Sequence, residues 1–375
     1  MKFSIHATDF AQALKAAQSV ADARPIRPIY ECVRIDADGA GITVTGGTSE
    51  QQISTFVEAD VKEGGAVAVP MKVLSGYINA MSGDITVASD KAGSISLKSG
   101  SLKAAVAGQD VDNYTVLNID SAPVFTADAA RFSDAISSVA FAASTDQTYV
   151  KRALCCVHIE VSETGYGEAV TVSDKEFARR RFPVNMLDDS PVEINIPTAF
   201  VKPLCSVLQG QEQFSLSVEK HVVMVSTENS TFIFPETDGK YIEWRRIIDS
   251  VSSDKFAKAD AKGLLDVLRF SFVSGKNGES FLARLFFDSK NQTLSISSRG
   301  VTTESKASIG IDYTGEDIDI SFDIRVVQDV ANFCAASGTD DIEISLSAPM
   351  RLAQLRPLDG NDDYLAFITP VRTLV

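Results

Sequence analysis

One phrase occurs three times along the chain, and this constrains the fold more than any property of its composition. The stretch AVAVPMKVLSGYINAM spans residues 66–81, EINIPTAFVKPLCSVL begins at Glu193, and IDISFDIRVVQDVANFC begins at Ile318. In each, short alternating residues run into a turn position (Pro70, Pro197 or Asp323) and an apolar pattern at helical spacing follows. The turn positions lie 127 residues apart (70 to 197) and 126 apart (197 to 323). Solenoid repeats are much shorter, so a period of this length means duplicated domains.

A second phrase precedes each copy. DFAQALKAAQSVADA starts at Asp9, DAARFSDAISSVAFAAS at Asp128 and DAKGLLDVLRFSFVSG at Asp260. Each opens on an aspartate suited to cap a helix, and Phe10, Leu14, Ala17 and Val20 mark one face of the first. Between the helices lie alternating segments such as GITVTGG, GSISLKSG, FSLSVEKHVVMVST, QTLSISSRG and DIEISLSAP, which read as half-buried antiparallel strands. The expected fold class is α+β: three tandem domains, each mostly antiparallel sheet with two helices on one face. Boundaries near NIDSAPVF and IIDSVSSDKF give domains 1–121, 122–249 and 250–375.

The N-terminal MKFSIHATDF alternates like an edge strand and lacks the apolar core of a signal peptide, and no run approaches a membrane span. The five cysteines are odd in number, scattered and free of CxxC spacing, which argues for a reducing cytoplasm and against a disulfide framework or a zinc site. The sequons at Asn229 and Asn291 are then taken as chance. No phosphate-binding glycine loop and no metal-ligand pattern around His6, His158 or His221 is present, so no catalytic residue, metal or cofactor is expected. CysCys at 155–156 reads as core, and the basic run ARRRF at 178–182 reads as a solvated strand edge rather than a phosphate site. The net charge of −15 opposes an ordinary DNA-binding surface but is compatible with basic residues gathered on one face.

The ordered set MKFSI…FAQAL…ARPIRPI, VPMKVL, FAAST, TVSDKEFA, DGKYIEWRRII and YLAFITPVR resembles the bacterial DNA polymerase III beta subunit, the sliding clamp, across the whole chain. The resemblance implies a head-to-tail homodimer closing into a ring of six similar domains. The helices would line a channel around double-stranded DNA, and the sheets would lie outside. It implies no enzymatic activity: the ring tethers the DNA polymerase III alpha subunit and other proteins with a clamp-binding motif, and a clamp-loader complex opens and closes it. Tight phosphate pairing would impose friction on sliding, so a closed ring needs only weak contacts.

Residue by residue, Arg24 matches the family's pattern around a DNA-facing arginine. Lys15, Lys72, Lys151, Arg152, Lys202, Lys276 and Arg325 complete the expected channel set, with Arg131, Lys262 and Arg269 nearby. The Lys151–Arg152 pair replaces a more aromatic family pattern. A partner-peptide groove between the second and third domains is expected from Leu154, Ser173, Phe177, Ile242, Arg246 and Ile247. Met350, Leu352, Phe367, Ile368, Pro370, Val371 and Arg372 are expected to complete it. Departures gather here: Ile242 stands where proline is usual, Asp323 and Val326 where asparagine and tyrosine are expected, and TPVR replaces MPMR. For the dimer interface the matching positions are Phe272 and Val273, faced by Leu102 and Ala104. The alternative considered is a clamp-like scaffold or decoy that dimerises but is not loaded; an unrelated repeat-built hydrolase lacks any catalytic constellation.

Overall fold

The computed structural model describes residues 1–375 except 23, 91, 147, 149–151, 163–164, 189, 277–280, 359–362 and 373–375, and the side chains of 275 and 276. Lys151 and the side chain of Lys276 therefore lie outside the described residues. The described residues contain seven α-helices: α1 (Ala7–Gln18), α2 (Met71–Asn79), α3 (Ala129–Val139), α4 (Thr198–Leu208), α5 (Arg245–Ser250), α6 (Ala261–Lys276) and α7 (Ile324–Ala335). All but α5 follow directly on a strand: Lys2–His6, Gly65–Pro70, Phe125–Asp128, Val192–Pro197, Lys255–Asp260 and Ile318–Asp323.

At least four of the six junctions share a device. The first helical N–H donates to a loop carbonyl: Ala7 to Gly83 at 2.9 Å, Ala129 to Glu212 at 3.1 Å, Ala261 to Asp340 at 2.9 Å and Ile324 to Phe281 at 2.8 Å. Asp128 adds a side-chain cap by accepting from the N–H of Arg131 at 2.8 Å, Asp260 accepts from that of Gly263, and Asp323 from that of Arg325 at 3.1 Å. Asp9 does not cap. The strand turns into α1 at Ala7, before Asp9, the residue at the cap position is His6, and the Gly83 carbonyl already satisfies the first N–H.

The chain divides into two compact units. The first comprises Met1–Ser133, Val184–Asp189 and Ala199–Glu236. It holds a five-stranded antiparallel sheet in the order Asp60–Glu63, Lys2–His6, Asp84–Ser89, Ile95–Ser99, Leu102–Val106. A second ladder runs from Gly65–Pro70 through Cys32–Asp38, Gly41–Gly47 and Gln52–Glu58 to Ser230–Pro235. Phe10, Ala13, Leu14 and Ala17 of α1 recur at helical spacing and are buried with Leu74 and Ile78 of α2 against Phe3, Ile35 and Val44. Gly46 permits this packing, because a Cβ there would sit 2.6 Å from the Ala17 Cβ.

The second unit comprises Asp134–Pro183, Ser190–Thr198 and Thr237–Val375. One sheet sets Cys156–Val161 between Val192–Pro197 and Tyr166–Val172, then continues through Glu176–Met186 and Tyr364–Ile368 to Ala353–Pro357, Asp341–Leu346 and Lys255–Asp260. A four-stranded sheet has the order Glu304–Gly310, Thr293–Arg299, Leu282–Asp288, Ile318–Asp323. The ARRRF run is not an edge, as it was expected to be: its strand pairs on both sides, with Tyr166–Val172 and with Tyr364–Ile368. Alternation sends Arg179 and Arg181 to one face and Arg180 to the other, where the Arg180 guanidinium lies 4.2 Å from the Tyr364 ring centroid and bonds Asp134 and Ser138 of α3.

Candidate functional site

On the face of that sheet away from α3, the register sets Val172 opposite Phe177 and Phe177 opposite Phe367. The segment leading into α5 lies over them. Tyr241 is buried and stacks on His158 at 4.3 Å, and Trp244, 3% exposed, packs 6.3 Å from Phe177, which is itself 5.1 Å from Phe367. With Cys156, Val170, Val172 and Leu365 these form one apolar cluster, flanked by the partly buried Leu154, Ile247, Ile248 and Val251. Burial lowers the His158 pKa, and its Nδ1 lies 2.8 Å from the Asn195 Oδ1, so the ring is held as a neutral stacking partner.

Ion pairs pin α5 in place. The Arg245 guanidinium donates to both Glu160 oxygens at 2.7–2.8 Å and to Glu168 at 2.6 Å, while lying 4.1 Å from the Trp244 ring centroid. Trp244 Nε1 donates to Glu160 at 3.1 Å. The wall of the apolar shelf is thus fixed from its polar side.

Of the expected groove residues, Leu154, Phe177, Ile247 and Phe367 meet in this cluster. Ile242, Met350 and Val371 are exposed, at 40%, 57% and 40%, and Arg246 and Arg372 are exposed as well. Leu352 lines a separate cavity of about 240 Å³ with Val251 and Ser347. Ser173 accepts from the N–H groups of Lys175 and Glu176 and so shapes the turn before Phe177. Ile368 is buried on the opposite face of its strand from Phe367. Pro370 is buried, and the segment is held by Thr369 N–H to the Lys175 carbonyl at 2.9 Å and Val371 N–H to the Ser321 carbonyl at 2.7 Å. Tyr241, Trp244, Val170, Val172 and Leu365 were not anticipated from the sequence; the alternation of Val170 and Val172 was the available signal.

At the flank, Asp323 accepts from Lys175 at 3.2 Å and from the Arg325 guanidinium at 2.6–2.9 Å. Burial opposes its ionisation, but these hydrogen bonds outweigh it and hold the carboxyl below its ordinary range. Glu176 goes the other way: burial first, then the charges of Asp329 and Asp323, push it up to about 7.

The six strand-following helices carry eight Lys and Arg against four Asp, a net of +4 in a chain of net −15. Lys15, Lys72, Arg131, Lys202, Lys262 and Arg269 are exposed on them. Arg325 is engaged by Asp323 and lies 3.9 Å from the Phe281 ring centroid. Arg24 and Arg152 are exposed outside these six helices, Arg152 at the start of a 3-10 turn (Arg152–Leu154). Leu102, 48% exposed, and Ala104 lie on the edge strand of the five-stranded sheet. Val273 is 61% exposed, whereas Phe272 is half-buried and stacks on Phe281 at 6.0 Å. Among the described residues no cluster of three His, Cys, Asp or Glu could hold a metal ion, and no helix is long and apolar enough to cross a membrane.

Solved structures superpose over the full chain. The DNA polymerase sliding clamp of Bacillus subtilis matches with a TM-score of 0.91 at 20% identity, and the DNA polymerase III beta subunit of Pseudomonas aeruginosa with 0.89 at 19%, each covering 100% of both chains. The fold is therefore that of the sliding clamps. Residues 1–118 match the family model described as the DNA polymerase III beta subunit, N-terminal domain. The beta sliding clamp of Halalkalibacterium halodurans is 25% identical over 389 residues, covering 100% of both chains, and that of Streptococcus pneumoniae serotype 4 is 23% identical over 99% of each. Residues 1–118 thus carry the match to the DNA polymerase III beta subunit family, and the whole chain is similar to beta sliding clamps at 23–25% identity.

Proposed function

We propose that this protein is a DNA sliding clamp: three clamp domains (1–121, 122–249 and 250–375) in each subunit, and two subunits closed head to tail around duplex DNA. The reading is supported above all by the segregation of charge, a net of +4 on the six strand-following helices within a chain of −15. A cationic helix surface attracts phosphates, while the acidic remainder repels them elsewhere. The helix excess is small, which suits a ring that holds DNA by topology and must slide. Arg24, Lys15, Lys72 and Lys202 are the proposed DNA contacts, and Leu102, Ala104, Phe272 and Val273 the proposed subunit contacts. An exposed edge strand such as Leu102–Val106 is completed by a second copy pairing along it.

The partly buried rim of the apolar cluster, Leu154, Ile247 and Ile248 over the Phe177–Trp244–Phe367 core, is the proposed site for the polymerase III alpha subunit, the clamp loader and other clamp-binding proteins. Two or three apolar anchors bury roughly 4–9 kcal/mol gross. Ordering a flexible peptide removes several of these, so affinity should be weaker than micromolar, which corresponds to about −8 kcal/mol. Such partners can take turns. The protein acts as a tether rather than a catalyst, in the cytoplasm.

The test is topological. After loading onto nicked circular plasmid, the protein should co-elute with the circle and be released when the circle is cut. Release that is independent of cutting would contradict a closed ring.

A further inference from the structure

A cavity of about 210 Å³ lies between α1 and α2, lined by Ala11, Gln12, Lys15 and Gln18 of the first helix and by Ser75 and Asn79 of the second. Positions 11, 15 and 18 recur at helical spacing, so the α1 wall extends for about 10 Å at ~1.5 Å per residue. Gln12, Lys15, Gln18 and Asn79 are exposed. Among the described residues, none of these four side chains has a hydrogen-bond or ion-pair partner. The Ser75 Oγ is buried and unpartnered as well. An unpaired buried hydroxyl is costly, and a polar group entering the cavity relieves that cost.

The lining holds three amides, a hydroxyl and an ammonium, and no carboxylate. Each amide offers two N–H donors and Lys15 offers three. The other repeats of the chain provide a comparison. Counted from the first helical residue, Gln12 of α1 corresponds to Asp134 of α3 and to Asp266 of α6. Asp134 is bonded to Arg180, and Asp266 lies 3.6 Å from Arg269. The first repeat thus sets a neutral, unspent amide where the other two set a carboxylate already committed to a cation. Lys72 stands one turn before Ser75 on the same face of α2 and adds positive charge.

We propose that this cavity binds a phosphodiester of duplex DNA, held chiefly by the neutral donors of Gln12, Gln18 and Asn79 beside Lys15. Two observations select that occupant. The lining presents unspent donors with no carboxylate to repel an anion, and both helices belong to the set that carries a net of +4. A phosphate neutralised by a lysine releases counterions, so its affinity falls with salt; a phosphate held by amides releases none. Gln18 and Asn79 end their helices, whose C-terminal dipoles oppose an anion, and the contact stays weak, as sliding demands. That the phosphate belongs to encircled DNA rests on the clamp reading; the amide-lined anion site itself does not.

The test is the binding of a fluorescein-labelled linear duplex to the full-length protein, followed by anisotropy across a series of salt concentrations. Gln12→Leu and Asn79→Leu, both on exposed side chains, should each weaken binding about three- to tenfold at every salt concentration. The slope of log affinity against log salt should stay at the wild-type value in both. Lys15→Gln should instead reduce the magnitude of that slope by about 0.9. A linear duplex needs no closed ring, so release from circular plasmid without cutting would count against the ring and leave this measurement standing. Unchanged affinity in both amide variants, or a slope change in them as large as that of Lys15→Gln, would overturn the proposal.

Discussion

Glu176 and Asp323 sit within one ionic group, and the fold moves their protons in opposite directions. Glu176, pushed up to about 7 from an ordinary 4.5, is held protonated by the fold. Its contribution to stability is fully present below pH 4.5 and is lost as pH rises through 7. Asp323, held below its ordinary range, contributes above the unfolded value of 3.8, and that contribution is lost as pH falls through its lower folded pKa. Glu176→Gln should therefore flatten the fall in melting temperature between pH 5 and pH 8, and an unchanged slope would show that another group titrates there. Phe367 tests packing at the same scale. It is 1% exposed against Phe177, so Phe367→Ala should cost about 3–5 kcal/mol in denaturant unfolding.

Much at the residue scale was legible in advance because burial follows alternation. Phe177, Phe367 and Ile247 were expected at a shared site and are found in one cluster. Tyr241 and Trp244 escaped because nothing local shows that a non-repetitive segment folds back over a sheet face; only the register of strands far apart in sequence decides it. The arginine run was misread for the same reason. A basic strand reads as an edge until its two neighbours are known, and one of them, Tyr364–Ile368, lies about 185 residues away in sequence.

At the scale of elements, the repeated strand-into-helix junction was the clearest sequence signal, and each proline or aspartate turn position stands where the helix begins. The caps were only partly legible, since at Asp9 a distant carbonyl, Gly83, replaces the side chain. The C-terminal segment is a separate element with its own prediction. Phe367 and Ile368 are core, while Thr369 to Val371 run along the flank through two backbone hydrogen bonds. Deleting residues 369–375 should leave the far-ultraviolet circular dichroism unchanged and weaken a clamp-binding peptide about tenfold, the effect of losing roughly 1.4 kcal/mol of contact. Undiminished peptide affinity would move the partner site away from this flank.

For the whole molecule, closure of the proposed ring would use apolar and backbone surface that a single subunit leaves exposed. Val273 and Leu102 are uncovered at 61% and 48%, and the strand carrying Leu102 has an open edge. Val273→Asp would place a charge in that contact and should shift sedimentation from dimer to monomer at micromolar concentration without lowering the melting temperature of the subunit. Charge segregation acts at this scale as well: no single lysine defines a DNA surface, and the excess emerges only when the helices are counted together.

The most direct test of the closed ring is negative-stain electron microscopy of the purified protein. Class averages should show a flat ring of roughly six-fold outline with an open centre. Compact particles without a hole, at concentrations where the dimer persists, would contradict it.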